Sequence, residues 1–139
     1  MLKATYKRYR LHFRNPVLTS RGEMQVKNGY FLFISDGDKT GVGECSFIEG
    51  LSMDDLDNYE NALRHLCRRI EEEENEPESD LIKFPSIRFG LECALSDLKN
   101  GGKKILFESE FTRGKKHIPI NGLIWMGAKN FMLEQIRQK

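Results

Sequence analysis

The strongest constraint on the fold is local. Two strand-like runs, Tyr30-Phe31-Leu32-Phe33-Ile34 and Thr40-Gly41-Val42-Gly43-Glu44-Cys45, stand on either side of Asp36-Gly37-Asp38. An Asp-Gly pair tolerates the positive φ of a tight turn, so this stretch predicts an antiparallel hairpin. Upstream, Leu2 to Phe13 is rich in aromatic and β-branched residues, and Tyr9, Leu11 and Phe13 alternate with Arg8, Arg10 and His12. That alternation predicts a third strand with one wet face and, with the hairpin, a three-stranded antiparallel meander. Between them, Arg14 to Lys27 carries Asn15-Pro16, Thr19-Ser20 and Arg21-Gly22 among scattered charge, and predicts a long loop. Loops beyond about 12 residues are uncommon in a compact domain unless they bind something or are disordered. Ser46 to Leu51 predicts a second loop carrying apolar residues at the surface.

Ser52 predicts a helix cap, with Asp54 and Asp55 in the first turn, where the positive end of the dipole favours carboxylates. Leu56, Tyr59, Leu63, Leu66 and Ile70 recur at steps of three and four and share one face. Glu71 to Asp80 holds seven carboxylates in ten residues and is interrupted by Pro77, which predicts a solvated linker. Pro85 opens a second helix whose apolar face is Ile87, Leu91, Ala94, Leu95 and Leu98, with Gly90 and Ala94 small enough for close approach; Asn100-Gly101-Gly102 ends it. His117 to Trp125 predicts a short buried strand, and Ala128 to Gln138 a helix. The chain thus begins an α/β unit after the meander, giving an α+β fold class.

Composition removes several function classes. Twenty-two basic against 21 acidic residues leave a formal charge of +1, so no bulk attraction to nucleic acid or anionic lipid is built in. At 39% hydrophobic and 31% charged, the 139 residues suit one soluble domain. A barrel enzyme needs about 250 residues. Cys45, Cys67 and Cys93 include no Cys-x-x-Cys motif and are read as free thiols, Cys67 and Cys93 as buried ones. There is no apolar run near 18 residues and no Asn-x-Ser/Thr acceptor, and charge is mixed through the N-terminus; a cytoplasmic location is expected, with no membrane partner. His12, His65 and His117 are too scattered for a metal site. Residues 1–22 contain six basic and no acidic residues, interleaved with Tyr6, Tyr9 and Phe13. A single-stranded nucleic-acid module uses such a pattern, and that is the non-enzymatic alternative; the acidic linker cancels the excess, so no nucleic acid is expected as a partner.

Four strings in order sharpen the picture. Gly41-Val42-Gly43-Glu44-Cys45-Ser46 with Gly50-Leu51-Ser52 resembles the Gly-x-Gly-Glu segment and second specificity loop of the enolase superfamily's N-terminal capping domain. Phe84 to Leu98 resembles that superfamily's helix beneath the barrel, and Ile118-Pro119-Ile120-Asn121-Gly122-Leu123 is similar to the first barrel strand of its o-succinylbenzoate synthases, dehydratases of menaquinone biosynthesis. The Thr19-Ser20-Arg21-Gly22 loop fits that branch better than its epimerase relatives. The resemblance spans residues 2–138 and implies a capping domain over 1–112, followed by the start of a (β/α) barrel over 113–139. Capping domains of dipeptide epimerases or muconate cycloisomerase-like enzymes are the alternative within the superfamily.

The resemblance implies a lyase, with a Lys-x-Lys base on the second barrel strand, a further Lys opposite it, and three later carboxylates holding Mg²⁺. No Lys-x-Lys occurs in this sequence, which ends about where that strand would begin. No catalytic residue or metal ligand is therefore expected in this chain, which alone is expected to be inactive. The implied role is closure and specificity over the barrel mouth, toward a small dicarboxylate. Ser20 and Arg21 lie on the first loop, and Arg21 offers a guanidinium to a carboxylate, directly or through water; the alternative is an ordinary solvated arginine. Phe47, Ile48 and Leu51 offer apolar contact to a substrate ring, against simple loop packing. Asn121 and Trp125 fall at the strand end where ligands sit, although Trp125 serves equally as a core anchor. Glu44 is read as part of the lid's framework. The unpaired barrel segment predicts self-association.

Overall fold

The computed structural model describes residues 1–19, 22–72 and 80–138. Strands β1 (Lys3–Thr19), β2 (Gly22–Ser35) and β3 (Thr40–Ser46) form one sheet in the order β1-β2-β3. Helices α1 (Tyr59–Glu71), α2 (Pro85–Lys99) and α3 (Lys129–Gln138) follow, with 3-10 turns at Leu56–Asn58 and Leu81–Lys83. The predicted Asp-Gly turn joins β2 to β3. Gly37 takes φ +103°, and the Asp36 carboxylate accepts the amides of Asp38 and Lys39 at 3.0 and 2.8 Å. Those amides, Lys39's foremost, hold the Asp36 carboxyl below its usual range.

The chain divides into two compact units: Met1–Tyr9 with Asn28–Glu108, and Arg10–Lys27 with Ser109–Lys139. The first unit holds the core. The β2/β3 register pairs Tyr30 with Cys45, Leu32 with Gly43 and Ile34 with Gly41, so large residues on β2 oppose small ones on β3. Leu32, Ile34 and Cys45 are fully buried, against Leu63 and Leu66 of α1 and Ile87, Leu91 and Ala94 of α2. Burying each of the larger side chains is worth about 1.5–3 kcal/mol. The glycines let α2 lie directly on β3, since a Cβ at Gly43 would overlap the carbonyl oxygen of Gly90.

Several sequence expectations give way. Arg14 to Lys27 is no loop: β1 runs to Thr19, β2 starts at Gly22, and the Thr19 hydroxyl donates to the Gly22 carbonyl at 2.9 Å. Pro16, which suggested a break, lies on β1, an edge strand, where proline is tolerated because one row of N–H groups has no strand partner. Ser52 does not cap α1, which starts seven residues later. Its hydroxyl accepts the Ile48 amide at 2.9 Å, closing a turn within the loop. On α2 the buried position is Asp97, fully enclosed, while Leu95 is 39% exposed. Asp97 is held inside by the amides of Val42 and Lys104, at 3.0 and 2.6 Å. The acidic linker expectation falls mostly on residues 73–79, outside the described residues.

In the second unit His117 to Trp125 forms no strand, and Ile118, Ile120, Leu123 and Trp125 are exposed. A strand exists through its ladder, and among the described residues none lies in the sheet beyond β1, β2 and β3. Helix α3 forms as predicted, with no buried residue.

Candidate functional site

In the first unit, the segment between β3 and α1 is built on an aromatic cluster. The ring of Phe47 packs 4.8 Å from that of Tyr59, which stacks on Tyr30 at 5.4 Å. Phe47 is 7% exposed and belongs to the core; Ile48 is half-buried and Leu51 is 46% exposed. Of the three loop residues singled out from sequence, Ile48 and Leu51 thus present apolar surface, while Phe47 anchors them. Asp54, placed in a helix first turn by the sequence pattern, instead accepts the Ser86 amide at 3.0 Å and its hydroxyl at 2.7 Å, and so caps α2 from a distance in sequence. Nothing in the local pattern announces that pairing.

A groove of about 570 Å³ lies beside the loop, lined by Arg8, Asn28, Tyr30, Phe47, Glu49 and Arg64 among others. The Asn28 amide nitrogen donates to Glu49 at 2.8 Å, while its oxygen is buried without a hydrogen-bond partner among the described residues. The groove also carries the carboxylates of Asp57 and Glu60, so its lining mixes two guanidiniums with three carboxylates over an aromatic floor and selects no single charge. Sequence reading missed it because its members are scattered from residue 8 to residue 64.

Glu44 sits in the framework. The Tyr9 hydroxyl donates to its carboxylate, and the Tyr9 ring lies over Gly29, where a Cβ would collide with it. Burial, then the Glu44 contact, pushes Tyr9 up to about 12.

In the second unit, Phe13, Arg14, Val17, Trp125 and Phe131 line a cavity of about 250 Å³. Trp125 is held by a side chain where a strand neighbour was expected: the Gln135 amide oxygen accepts its N–H at 2.8 Å and the amide nitrogen donates to its carbonyl at 3.0 Å. Asn121 is exposed. Arg14 is the charged group beside Trp125, and reading residues 14–27 as a loop concealed it. Ser20 and Arg21 lie outside the described residues.

Among the described residues no three His, Cys, Asp or Glu side chains come together as a metal site. The cysteines are free; burial pushes Cys45 up to about 12 and Cys67 to about 11, which suits packing rather than nucleophilic attack. Among the described residues no helix is long and apolar enough to cross a membrane.

Comparison with known proteins gives a consistent picture. The family described as "MenC, N-terminal domain" matches residues 1–98. An o-succinylbenzoate synthase from Desulfotalea psychrophila is 37% identical over 99% of this chain and 46% of its own length. One from Yersinia enterocolitica is 30% identical over 71% of this chain and 30% of its own length. The chain thus spans half or less of the curated relatives it matches. The crystal structure of MenC from Desulfotalea psychrophila superposes with a TM-score of 0.73 at 33% identity, over 99% of this chain and 45% of that one. An enolase family member from Agrobacterium tumefaciens with homology to dipeptide epimerases, solved with sodium and L-Ala-L-Glu, superposes at 0.69 with 21% identity over 99% and 43%, a likeness of fold.

Proposed function

This chain belongs to the MenC N-terminal domain family, and from that premise we propose that it is the capping portion of an o-succinylbenzoate synthase, a lyase acting on a small ring-bearing dicarboxylate. One observation carries the reading: the resemblance to the Desulfotalea protein covers 99% of this chain yet only 46% of that one. The capping portion closes a site whose proton-transfer lysines and Mg²⁺ ligands lie in the remainder of the enzyme.

What this chain's residues do follows from their chemistry. Ile48 and Leu51 bring apolar surface over a substrate ring and exclude water, which strengthens every charge interaction beneath them. Arg21 donates to a substrate carboxylate, with Ser20 next to it in the sequence. Asn121 orients a polar group of the substrate, and Trp125 packs against its ring. Magnesium would be held by residues in the remainder of the whole enzyme and would supply Lewis-acid chemistry there.

Three free thiols support a cytoplasmic setting. Nucleic acid is not a partner in this reading: Tyr6 donates to Glu60 at 3.2 Å and Tyr9 to Glu44, which sets carboxylates where a phosphate would pass. The exposed apolar residues Ile118, Ile120, Leu123, Phe131 and Ile136 support self-association of the chain on its own.

The test is a fusion in which this chain replaces the matching N-terminal segment of the Desulfotalea enzyme. The fusion is assayed for dehydration to o-succinylbenzoate and for epimerisation of L-Ala-L-Glu. Dehydration with no epimerisation is expected. A folded fusion that epimerises the dipeptide, or that turns over neither substrate, overturns the reading.

A further inference from the structure

We propose that the buried chain of hydrogen bonds through Tyr59, Ser86 and Asp54 is a positioning relay that fixes the Phe47–Ser52 loop, so that Ile48 and Leu51 meet a bound molecule already in place. The inference rests on the specificity-loop reading above. It starts from proton counting. The Ser86 hydroxyl donates to the Asp54 carboxylate at 2.7 Å, and a hydroxyl has one proton, so in the 2.5 Å contact with Tyr59 the phenol is the donor. The direction is therefore fixed: Tyr59 to Ser86 to Asp54. Burial pushes the Tyr59 hydroxyl far above its ordinary range, which keeps it protonated as that donor.

Each end of the relay grips the loop. At one end the Tyr59 ring packs on Phe47, the loop's first residue. At the other, Asp54 lies two residues beyond Ser52, and the Asp55 amide donates to the Lys83 carbonyl at 3.1 Å. Between them the loop closes on itself: the amides of Leu51 and Ser52 donate to the Ile48 carbonyl at 3.0 and 2.8 Å, and the Ser52 hydroxyl accepts the Ile48 amide. A side tether runs from Glu49 to Asn28. Tyr59 is 2% and Asp54 8% exposed. Burying a carboxylate and a phenol is a poor route to stability compared with apolar packing, yet each accepts only a narrow range of geometry. That directional hold is what a loop needs if its apolar tip is to be set before binding rather than ordered by it.

Two measurements test the relay. In this chain, Ser86→Ala and Tyr59→Phe are compared with wild type by amide hydrogen exchange. Exchange at Leu51 and Ser52 is expected to quicken about tenfold while the β2–β3 amides hold, and Ser86→Thr, which keeps the hydroxyl, is expected to restore protection. Unchanged exchange, or an equal rise at every amide, overturns the relay. In the fusion enzyme Ser86→Ala is expected to raise KM about tenfold and to move kcat less than about threefold. A lowered Tm with KM unchanged makes the network merely structural and also overturns the inference. A fusion without dehydration activity overturns the functional reading instead, and the exchange measurement still decides the relay.

Discussion

Asp97→Ala should be among the most damaging single changes to this fold, although the side chain touches no candidate ligand. The carboxylate is fully enclosed and bridges two distant pieces of backbone, accepting the amide of Val42 on β3 and that of Lys104 beyond α2. Truncation leaves both donors without an acceptor, at about 1–3 kcal/mol each when buried. The Lys104 residue is exposed and water will recover part of that share, which brings the expected loss to about 3 kcal/mol in total. Against a total stability of about 5–15 kcal/mol this is a large fraction. At about 4 °C per kcal/mol, Tm should fall by about 12 °C. Asp97→Asn keeps one acceptor oxygen and turns an amide N–H toward the other donor, so it should fall between the two. Urea unfolding followed by far-UV circular dichroism reads all three proteins. Asp97→Ala within about 0.5 kcal/mol of wild type at unchanged m would show that the two amides find other partners, and the reasoning would fail.

Stability should decline in alkali. Cys45, Cys67 and Tyr9 are pushed up to about 12, 11 and 12, from ordinary values of 9.0 for thiols and 10.0 for tyrosine. The folded state therefore holds these protons more tightly than the unfolded one, and the contribution present below pH 9 drains away as pH rises toward 12; a flat urea midpoint across that window would contradict it. In a thiol-titration assay at neutral pH, Cys93, half-buried, should react first, with Cys45 reacting only as the chain unfolds; prompt reaction of all three in the native protein would refute the burial argument. Light scattering at micromolar concentration should show the chain associating with itself, and a clean monomer would mean that the apolar residues of 117–138 are covered within one chain.

The parts of the fold legible in the sequence are those decided locally. The Asp36-Gly37 turn needs its own amides and one positive φ, and helices α1 and α2 follow from apolar spacing that any window reveals. What escaped was decided at a distance. Leu95 shares the apolar spacing yet is exposed, because periodicity weighs hydrophobicity alone, whereas Asp97 is buried by donors from residues 42 and 104. Pro16 reads as a breaker until its strand is known to be an edge. His117 to Trp125 has the composition of a strand, but pairing needs a neighbour that composition does not supply. The candidate site divides the same way. Ile48 and Leu51 were visible as apolar residues in a loop, while the Asp54–Ser86 bond that sets their loop joins residues 32 apart in sequence.

The division of labour between lid and barrel is the central claim, and one comparison of rates tests it. Dehydration is measured for this chain alone, for the Desulfotalea enzyme lacking its matching segment, and for the fusion of the two. The chain alone should show no turnover above a protein-free control, the barrel alone about a hundredth of the fusion's rate or less, and the fusion a restored rate. Turnover by this chain alone, or a barrel that runs as fast without a lid as with this one, would contradict the account.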